Sequence, residues 1–341
     1  MTVQTVHRSF FDDKVILITG GTGSFGKKFI ENTLEKFNPR QLIVFSRDEM
    51  KQWDLRTSAG NDSRLSFRIG DIRDKEQLMD CLVGVDLVVH AAATKIVPTS
   101  EANPFECIKT NVFGSMNVID ACKRSGVQKV VALSTDKACN PINLYGATKL
   151  TADKLFTVGA HLDNCATKYA VVRYGNVMGS RGSVIPFFMK LARQGKPLPI
   201  TDPTMTRFMI SLDEAVNLVW QAFSEMSGGE IFVKKLPSMN ILSIARSVYP
   251  EAKFEIIGIR PGEKLHEQMI SEDDAPFTFE LQDHFVILRD RAEARLFEKK
   301  DITAIKVEQG FRYSSETNDF WMSEIELSDF LQKNASDFDV G

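Results

Sequence analysis

The stretch Lys14-Val-Ile-Leu-Ile-Thr19 runs straight into Gly20-Gly-Thr-Gly-Ser-Phe-Gly26, and it constrains the fold more than any other part of the chain. A short β-branched run ending in glycines reads as a strand buried on both faces, as in parallel sheets. Behind the glycines, Lys27–Lys36 reads as a helix. Apolar runs at Leu42–Phe45, Leu65–Ile69, Leu87–His90, Lys129–Leu133 and Tyr169–Arg173 then alternate with helical stretches at Lys75–Leu82, Pro104–Arg124 and Tyr145–Val158. Alternating strand and helix predicts an α/β fold: a doubly wound parallel sheet of Rossmann type with right-handed crossovers.

Beyond Asn176 the rhythm loosens. Gly179–Gly182 reads as a turn, and a helix carrying Phe187, Phe188 and Leu191 follows it. Pro197–Pro203 reads as a loop and short strand, Leu212–Ser224 as a helix and Phe254–Ile259 as a strand. Residues 225–341 mix short elements, with loops near Gly228-Gly229 and Pro261-Gly262. The expected plan is a dinucleotide-binding Rossmann domain over 11–178, with a returning segment near 207–235. Residues 179–341 are expected to form mainly a smaller C-terminal α/β domain that binds substrate, with interleaved boundaries.

The chain's 341 residues are enough for an ample core. A formal net charge of −3 offers no electrostatic case for nucleic acid. No apolar run reaches the roughly 18 to 20 residues of a membrane span. Met1–Asp13 contains no apolar stretch of the roughly 7–15 residues found in a secretory leader, so it is expected to be a lead-in to the first strand. The five cysteines, Cys81, Cys107, Cys122, Cys139 and Cys165, are dispersed, which points to reduced thiols and a cytoplasmic protein. None has zinc-like spacing with a histidine, and no metal is expected.

The glycine loop has the strand–turn–helix setting of a dinucleotide site. Gly20 makes the tight turn, Gly23 admits a pyrophosphate to the backbone and Gly26 lets helix and strand pack closely. Thr22, Ser24 and Phe25 complete the loop, with the phosphates at the helix N-terminus. At the end of the second strand, Ser46 and Arg47, with Lys51 a turn later, suit a 2′-phosphate, so NADP is expected over NAD. Asp48 is the opposing signal, a carboxylate that could contact ribose instead. Asp71-Ile72, after the third strand, reads either as an adenine contact or, for Asp71, as a helix cap.

Ser134-Thr135-Asp136-Lys137 precedes Tyr145, and Lys149 follows one helical turn later on the same face. A lysine ammonium there favours the phenolate of Tyr145, giving a base that can take a hydroxyl proton. Asp136 and Lys137 form a second acid–base pair. A simple alcohol dehydrogenase has no use for one; an enzyme that oxidises a sugar, eliminates water and re-reduces does. In that role Lys137 is expected to be neutral, its pKa depressed by burial and neighbouring cations. His90 ends an apolar strand and reads as a packed histidine.

Several motifs together carry a family resemblance. They are TGGTGSFG at 19–26, AAATK at 91–95, Asn111, STDKACNPINLYGATK at 134–149, RYGNVMGSRGSVIPFF at 173–188, ITDPTMTRF at 200–208, IGIRPGEKLHE at 257–267 and FRYSSETNDFW at 311–321. With them the chain resembles the soluble UDP-N-acetylglucosamine 4,6-dehydratases (5-inverting) of the extended short-chain dehydrogenase/reductase superfamily, over nearly its whole length. Glucose-type relatives typically carry Thr-Asp-Glu where this chain has Thr135-Asp136-Lys137. Membrane-bound relatives have spanning helices and often methionine at the position of Tyr145. The chain departs from the family pattern at Thr94 and Ile96, on either side of Lys95, which bears on fine substrate preference.

The resemblance implies NADP-dependent conversion of UDP-N-acetylglucosamine to UDP-2-acetamido-2,6-dideoxy-β-L-arabino-hexos-4-ulose. That is the first step of pseudaminic acid biosynthesis, a pathway often serving flagellin glycosylation. Thr135 would bond the C4 oxygen, Tyr145 with Lys149 would take the C4 hydroxyl proton, Lys137 the C5 proton, and Asp136 would protonate the departing C6 hydroxyl. Ala91 and Ala92 would lie beside the cofactor. Lys95, Asn176, Arg181, Thr206, Arg207, Arg260 and Glu263 would bind the nucleotide sugar, Glu263 at its ribose, with Lys264 and His266 nearby. A homo-oligomer, possibly a hexamer, is also implied. The alternatives are a C5-retaining dehydratase or a 4-epimerase on the same scaffold, and a non-catalytic NADP-binding sensor.

Overall fold

The protein is described by a computed structural model that covers residues 10–159, 166–180, 182–300 and 303–338. Six strands open the main sheet: β1 Val15–Thr19, β2 Gln41–Ser46, β3 Leu65–Ile69, β4 Leu87–His90, β5 Lys129–Leu133 and β6 Lys168–Arg173. Their spatial order is 3-2-1-4-5-6, all parallel. Ile231–Lys234 extends the parallel run beside β6. His284–Ile287, Thr278–Glu280 and Ile305–Lys306 then pair antiparallel at that edge. The expectation of a parallel sheet therefore holds for β1–β6 and the strand beside β6, and the antiparallel margin is an addition to it.

β1 is buried along its whole length, with Ile16, Leu17 and Ile18 fully enclosed. Burying one such side chain contributes roughly 1.5–3 kcal/mol, which explains why this strand is a continuous apolar run rather than an alternating one. The helix Leu212–Glu225 covers one face of the sheet. It starts at Ser211 with a reciprocal capping box to Glu214, and it buries Ala215, Val216, Val219, Trp220 and Phe223. Trp220 Nε1 donates to Thr33 Oγ1 at 3.2 Å, tying this helix to α1, Ser24–Lys36.

The helix expected over Pro104–Arg124 is interrupted. Pro104–Ile108 and Gly114–Ser125 are α-helical, and Lys109–Phe113 between them forms a π turn. A π turn inserts a residue without breaking the helix, so periodicity alone does not reveal it. It carries Asn111, whose amide brackets the backbone of Thr94, accepting from its N–H at 2.8 Å and donating to its carbonyl at 2.9 Å. The strand expected over Phe254–Ile259 ends at Ile256, shortly before Gly258 turns the chain with φ +81°.

The C-terminal elements have an apolar cluster of their own, which includes Ile185, Phe188, Leu198, Met209, Met239 and Leu327. They stand over the carboxyl ends of the parallel strands. β1 lies between β2 and β4, where the strand order reverses, and that is the place where ligands bind in doubly wound sheets. A cleft of about 1350 Å³ opens there. Among the described residues no helix is long and apolar enough to cross a membrane.

Candidate active site

The floor of the cleft begins at the glycine loop. Gly23 caps α1 in an extended conformation without a side-chain bond to the helix, so the first-turn N–H groups face the cleft. A Cβ on Gly26 would lie 2.4 Å from the carbonyl oxygen of Gly21, so only glycine lets helix and loop meet. Gly20, Thr22, Ser24 and Phe25 line the same floor, with Ala91 and Ala92 across from them. This cradle of open N–H groups and close-packed glycines fits a dinucleotide pyrophosphate.

At the end of β2, the opposing signal from Asp48 is explained by its local bonds. Its carboxylate caps α2, Glu49–Ser58, by accepting from the N–H of Lys51, and it pairs with Lys51 Nζ at 2.7 Å. These bonds hold its pKa below the usual carboxylate range. Ser46 is buried, and its hydroxyl oxygen accepts from Gln52 Nε2 at 3.0 Å. The Arg47 side chain is 65% exposed, with Nη1 4.0 Å from Asp71 Oδ2. Asp71 is not a helix cap: Asp74 caps α3, Lys75–Cys81, while Asp71 accepts from the N–H of Arg73 and pairs with its guanidinium at 2.6 Å. Ser46, Arg47, Lys51, Asp71 and Ile72 all line the cleft.

β5 delivers the chemical centre. Thr135 is extended, donates to Asp136 Oδ1 at 2.8 Å and caps a single 3₁₀ turn over Asp136–Ala138. Asp136 is fully buried, and its Oδ1 lies 3.0 Å from Lys137 Nζ. The helix Leu144–Gly159 brings Tyr145 and Lys149 to this turn. The two segments touch at Gly146, where a Cβ would lie 2.2 Å from the Lys137 carbonyl oxygen.

Two expectations about charge are corrected here. Burial drives the Tyr145 pKa up to about 12, although the Lys137 charge and a hydrogen bond with Thr135 act against it. The cation acting on the phenol is thus Lys137. Lys149 instead donates to the Leu133 carbonyl at 2.7 Å. Burial lowers the Lys149 pKa, with Asp153 opposing. Lys137 is not held neutral either. Burial does favour its neutral amine, but Asp136 and Glu267, each about 3 Å away, outweigh it and raise the pKa above that of an ordinary lysine. His90 is packed and neutral, bonded to Thr19 Oγ1 at 2.9 Å, its pKa lowered by burial to about 3.

Glu267 is the buried cleft residue that sequence reasoning did not single out. It is 1% exposed and lines the cleft, its Oε1 3.1 Å from Lys137 Nζ and 3.8 Å from Arg207 Nε. Its only signal was its place at the end of IRPGEKLHE, where a glutamate looks like any other loop charge.

The remaining candidates divide. Lys95, Asn176, Arg207, Arg260 and Glu263 line the cleft. Asn176 has a buried amide oxygen without a hydrogen-bond partner. Arg207 is buried, and its guanidinium donates to the carbonyls of Thr206, Lys264 and Leu265, so it clamps the 263–267 segment from within. Arg260 forks onto Glu263 at 2.9 and 3.1 Å. Thr206 is set apart from the cleft lining: its hydroxyl is buried against His266 and Ser315. Lys264 Nζ donates to the Cys139 carbonyl at 2.6 Å. Arg181 lies outside the described residues.

Comparison with known proteins follows this geometry. A family model described as "Polysaccharide biosynthesis protein" matches residues 16–289. A protein of Campylobacter jejuni subsp. jejuni (strain 81-176), UDP-N-acetylglucosamine 4,6-dehydratase (inverting), is 51% identical, covering 94% of this chain and 98% of its own. A UDP-glucose 4-epimerase of Rickettsia canadensis is 44% identical, covering 82% of this chain and 84% of its own. The X-ray structure of Pen from Bacillus thuringiensis superposes with a TM-score of 0.87 at 37% identity, covering 96% of this chain and 99% of its own.

Proposed function

The chain belongs to the polysaccharide biosynthesis protein family and, within it, to the inverting UDP-N-acetylglucosamine 4,6-dehydratases, and from that premise we propose that it eliminates water from UDP-N-acetylglucosamine with inversion at C5. One observation supports this above the others: the Asp136–Lys137 pair shares one cleft with Tyr145 and the dinucleotide loop. A 4-epimerase, the activity named for the Rickettsia relative, moves a proton at the C4 oxygen only and needs no such pair.

A nicotinamide dinucleotide held by Gly20–Gly26, Ala91 and Ala92 supplies reversible oxidation of the sugar, with no net redox change over the cycle. Thr135 and Tyr145 hold the C4 oxygen, and Tyr145 moves the C4 hydroxyl proton. The Lys137 charge and the Thr135 hydroxyl favour its phenolate, against the burial that raises its pKa. Lys137 begins as an ammonium and passes a proton to Asp136 across their 3.0 Å contact. The transfer changes no net charge and yields a neutral amine beside a carboxylic acid, the two forms the elimination uses. The amine takes the C5 proton, made acidic by the C4 ketone. The C5 electron pair forms the C5–C6 double bond, and the C6–O bond breaks as Asp136 donates its proton, releasing water. Addition to C6 of the hydride first removed from C4, and of a proton to C5 from the opposite face, would give the inverted 4-keto-6-deoxy sugar.

The cofactor in this reading is NADP. Its support is the charge at the end of β2, where Arg47 and Lys51 face the cleft and Asp48 is occupied as a helix cap. Lys95, Asn176, Arg260 and Glu263 are the proposed grip on the nucleotide sugar, within a C-terminal substrate domain formed mainly by 179–341. The proposal extends to the first step of pseudaminic acid synthesis and to a cytoplasmic homo-oligomer. The support for these is the family resemblance, together with the free thiols of Cys81, Cys107 and Cys139 among the described residues.

Lys137→Ala tests the assignment. With a 4-keto intermediate in deuterated water, exchange at C5 is expected to fall on the order of 10²-fold or more. Exchange at the wild-type rate removes Lys137 as the base.

A further inference from the structure

Glu267 meets the same Lys137 nitrogen as Asp136, and none of the roles above uses it. Its backbone is fixed, its N–H donating to Ser315 Oγ at 2.9 Å and its carbonyl accepting from the Ser315 N–H at 2.8 Å. Its Oε1 meets Lys137 Nζ at 3.1 Å, while its Oε2 is buried without a hydrogen-bond partner. Asp136 mirrors it, with Oδ1 3.0 Å from the same nitrogen and Oδ2 equally without a partner. A carboxylate built only for stability would have its second oxygen satisfied, because an unpaired buried acceptor is costly. Here two carboxylates meet one amine in the cleft, and each keeps one such oxygen.

On the dehydratase reading, we propose that Glu267 is a positioning residue of the elimination: it holds the Lys137 amine between two carboxylates and, as the fixed negative charge, governs how one proton is shared between Lys137 and Asp136. The two carboxylates differ in surroundings. Glu267 faces Lys137, Arg207 and Lys264, and these three cations keep it ionised despite its burial. Asp136 faces Glu267 as a like charge, with Lys137 and the Thr135 hydroxyl opposing, and burial makes it the better proton acceptor of the two. Tyr145 and Cys139 also lie within the field of Asp136. Lys137 itself faces Asp136, Glu267 and Arg207. In the transfer an N–H bond of Lys137 breaks, its electron pair stays on Nζ, and the proton joins an oxygen of Asp136. Glu267 remains an anion throughout and raises the proton affinity of both partners.

The test is the pH dependence of kcat for dehydration by the full-length enzyme with UDP-N-acetylglucosamine. Glu267→Gln removes the charge and keeps the shape. Both limbs of the profile are expected to move to lower pH by about one unit or more. The value of kcat at the optimum is expected to fall on the order of 10²-fold, as for a misplaced catalytic group, with KM changed less than about twofold. Glu267→Asp keeps the charge but draws it back, so its limbs are expected to lie between those of wild type and Glu267→Gln. It carries the test alone if the glutamine variant does not fold. Limbs that stay at wild-type pH in a folded variant, whatever the loss of kcat, overturn the proposal and leave the dehydratase reading intact. A wild-type enzyme that does not convert the sugar overturns both.

Discussion

Lys137 Nζ sits 3.0 Å from Asp136 Oδ1, close enough for one proton to be exchanged between base and acid. Both residues lie on a single 3₁₀ turn that Thr135 caps.

Cofactor choice is testable at Arg47. Its guanidinium lines the cleft at the end of β2, while Asp48 is engaged by α2. Arg47→Ala is expected to weaken NADP binding by about 1.5–3 kcal/mol, or about 10- to 100-fold. NAD binding should change little. Titration of the apoprotein with each dinucleotide, followed by calorimetry, checks this, and equal losses for both would remove Arg47 from the 2′-phosphate site.

Gly146 is a second point of test. Alanine in a helix ordinarily stabilises relative to glycine by about 1 kcal/mol. At this position its Cβ would lie 2.2 Å from the Lys137 carbonyl oxygen and 3.0 Å from Pro141 Cβ. Gly146→Ala is therefore expected to destabilise by about 1–3 kcal/mol and to lower kcat by displacing the Asp136–Ala138 turn. Thermal unfolding and initial rates measure both. A more stable variant with full activity would show that helix and turn are not in close contact.

How much of this was legible beforehand depended on distance along the chain. β1, the glycine loop and the Tyr145–Lys149 spacing are local patterns, and each appears where its residues predict. The charge state of Lys137 was not legible, because Glu267 arrives from a distant part of the chain and, together with Asp136, reverses the effect of burial. The role of Arg207 was likewise hidden: an arginine facing a cleft and one clamping three carbonyls look alike in sequence. The π turn at Lys109–Phe113 leaves the helical period almost intact, and the strands at Thr278–Glu280 and Ile305–Lys306 are too short to register.

Acid sensitivity follows from His90. Its pKa lies near 3 in the folded protein because the charged ring would be buried. The unfolded chain binds a proton near pH 6.5, so His90 contributes stability above that pH and loses it as pH falls toward 3. The loss is expected to approach about 1.4 kcal/mol per pH unit below 6.5. Urea unfolding at pH 6.5 and 5.0 should show a smaller difference in His90→Asn than in wild type. Equal differences would mean that His90 does not couple folding to protons.

The central claim is the elimination itself, and proton NMR of UDP-N-acetylglucosamine incubated with the enzyme in deuterated water tests it most directly. The account predicts a 4-keto-6-deoxy product of L-arabino configuration carrying deuterium at C5. A product inverted only at C4, with its C6 hydroxyl retained and no deuterium at C5, would contradict it and point to epimerisation.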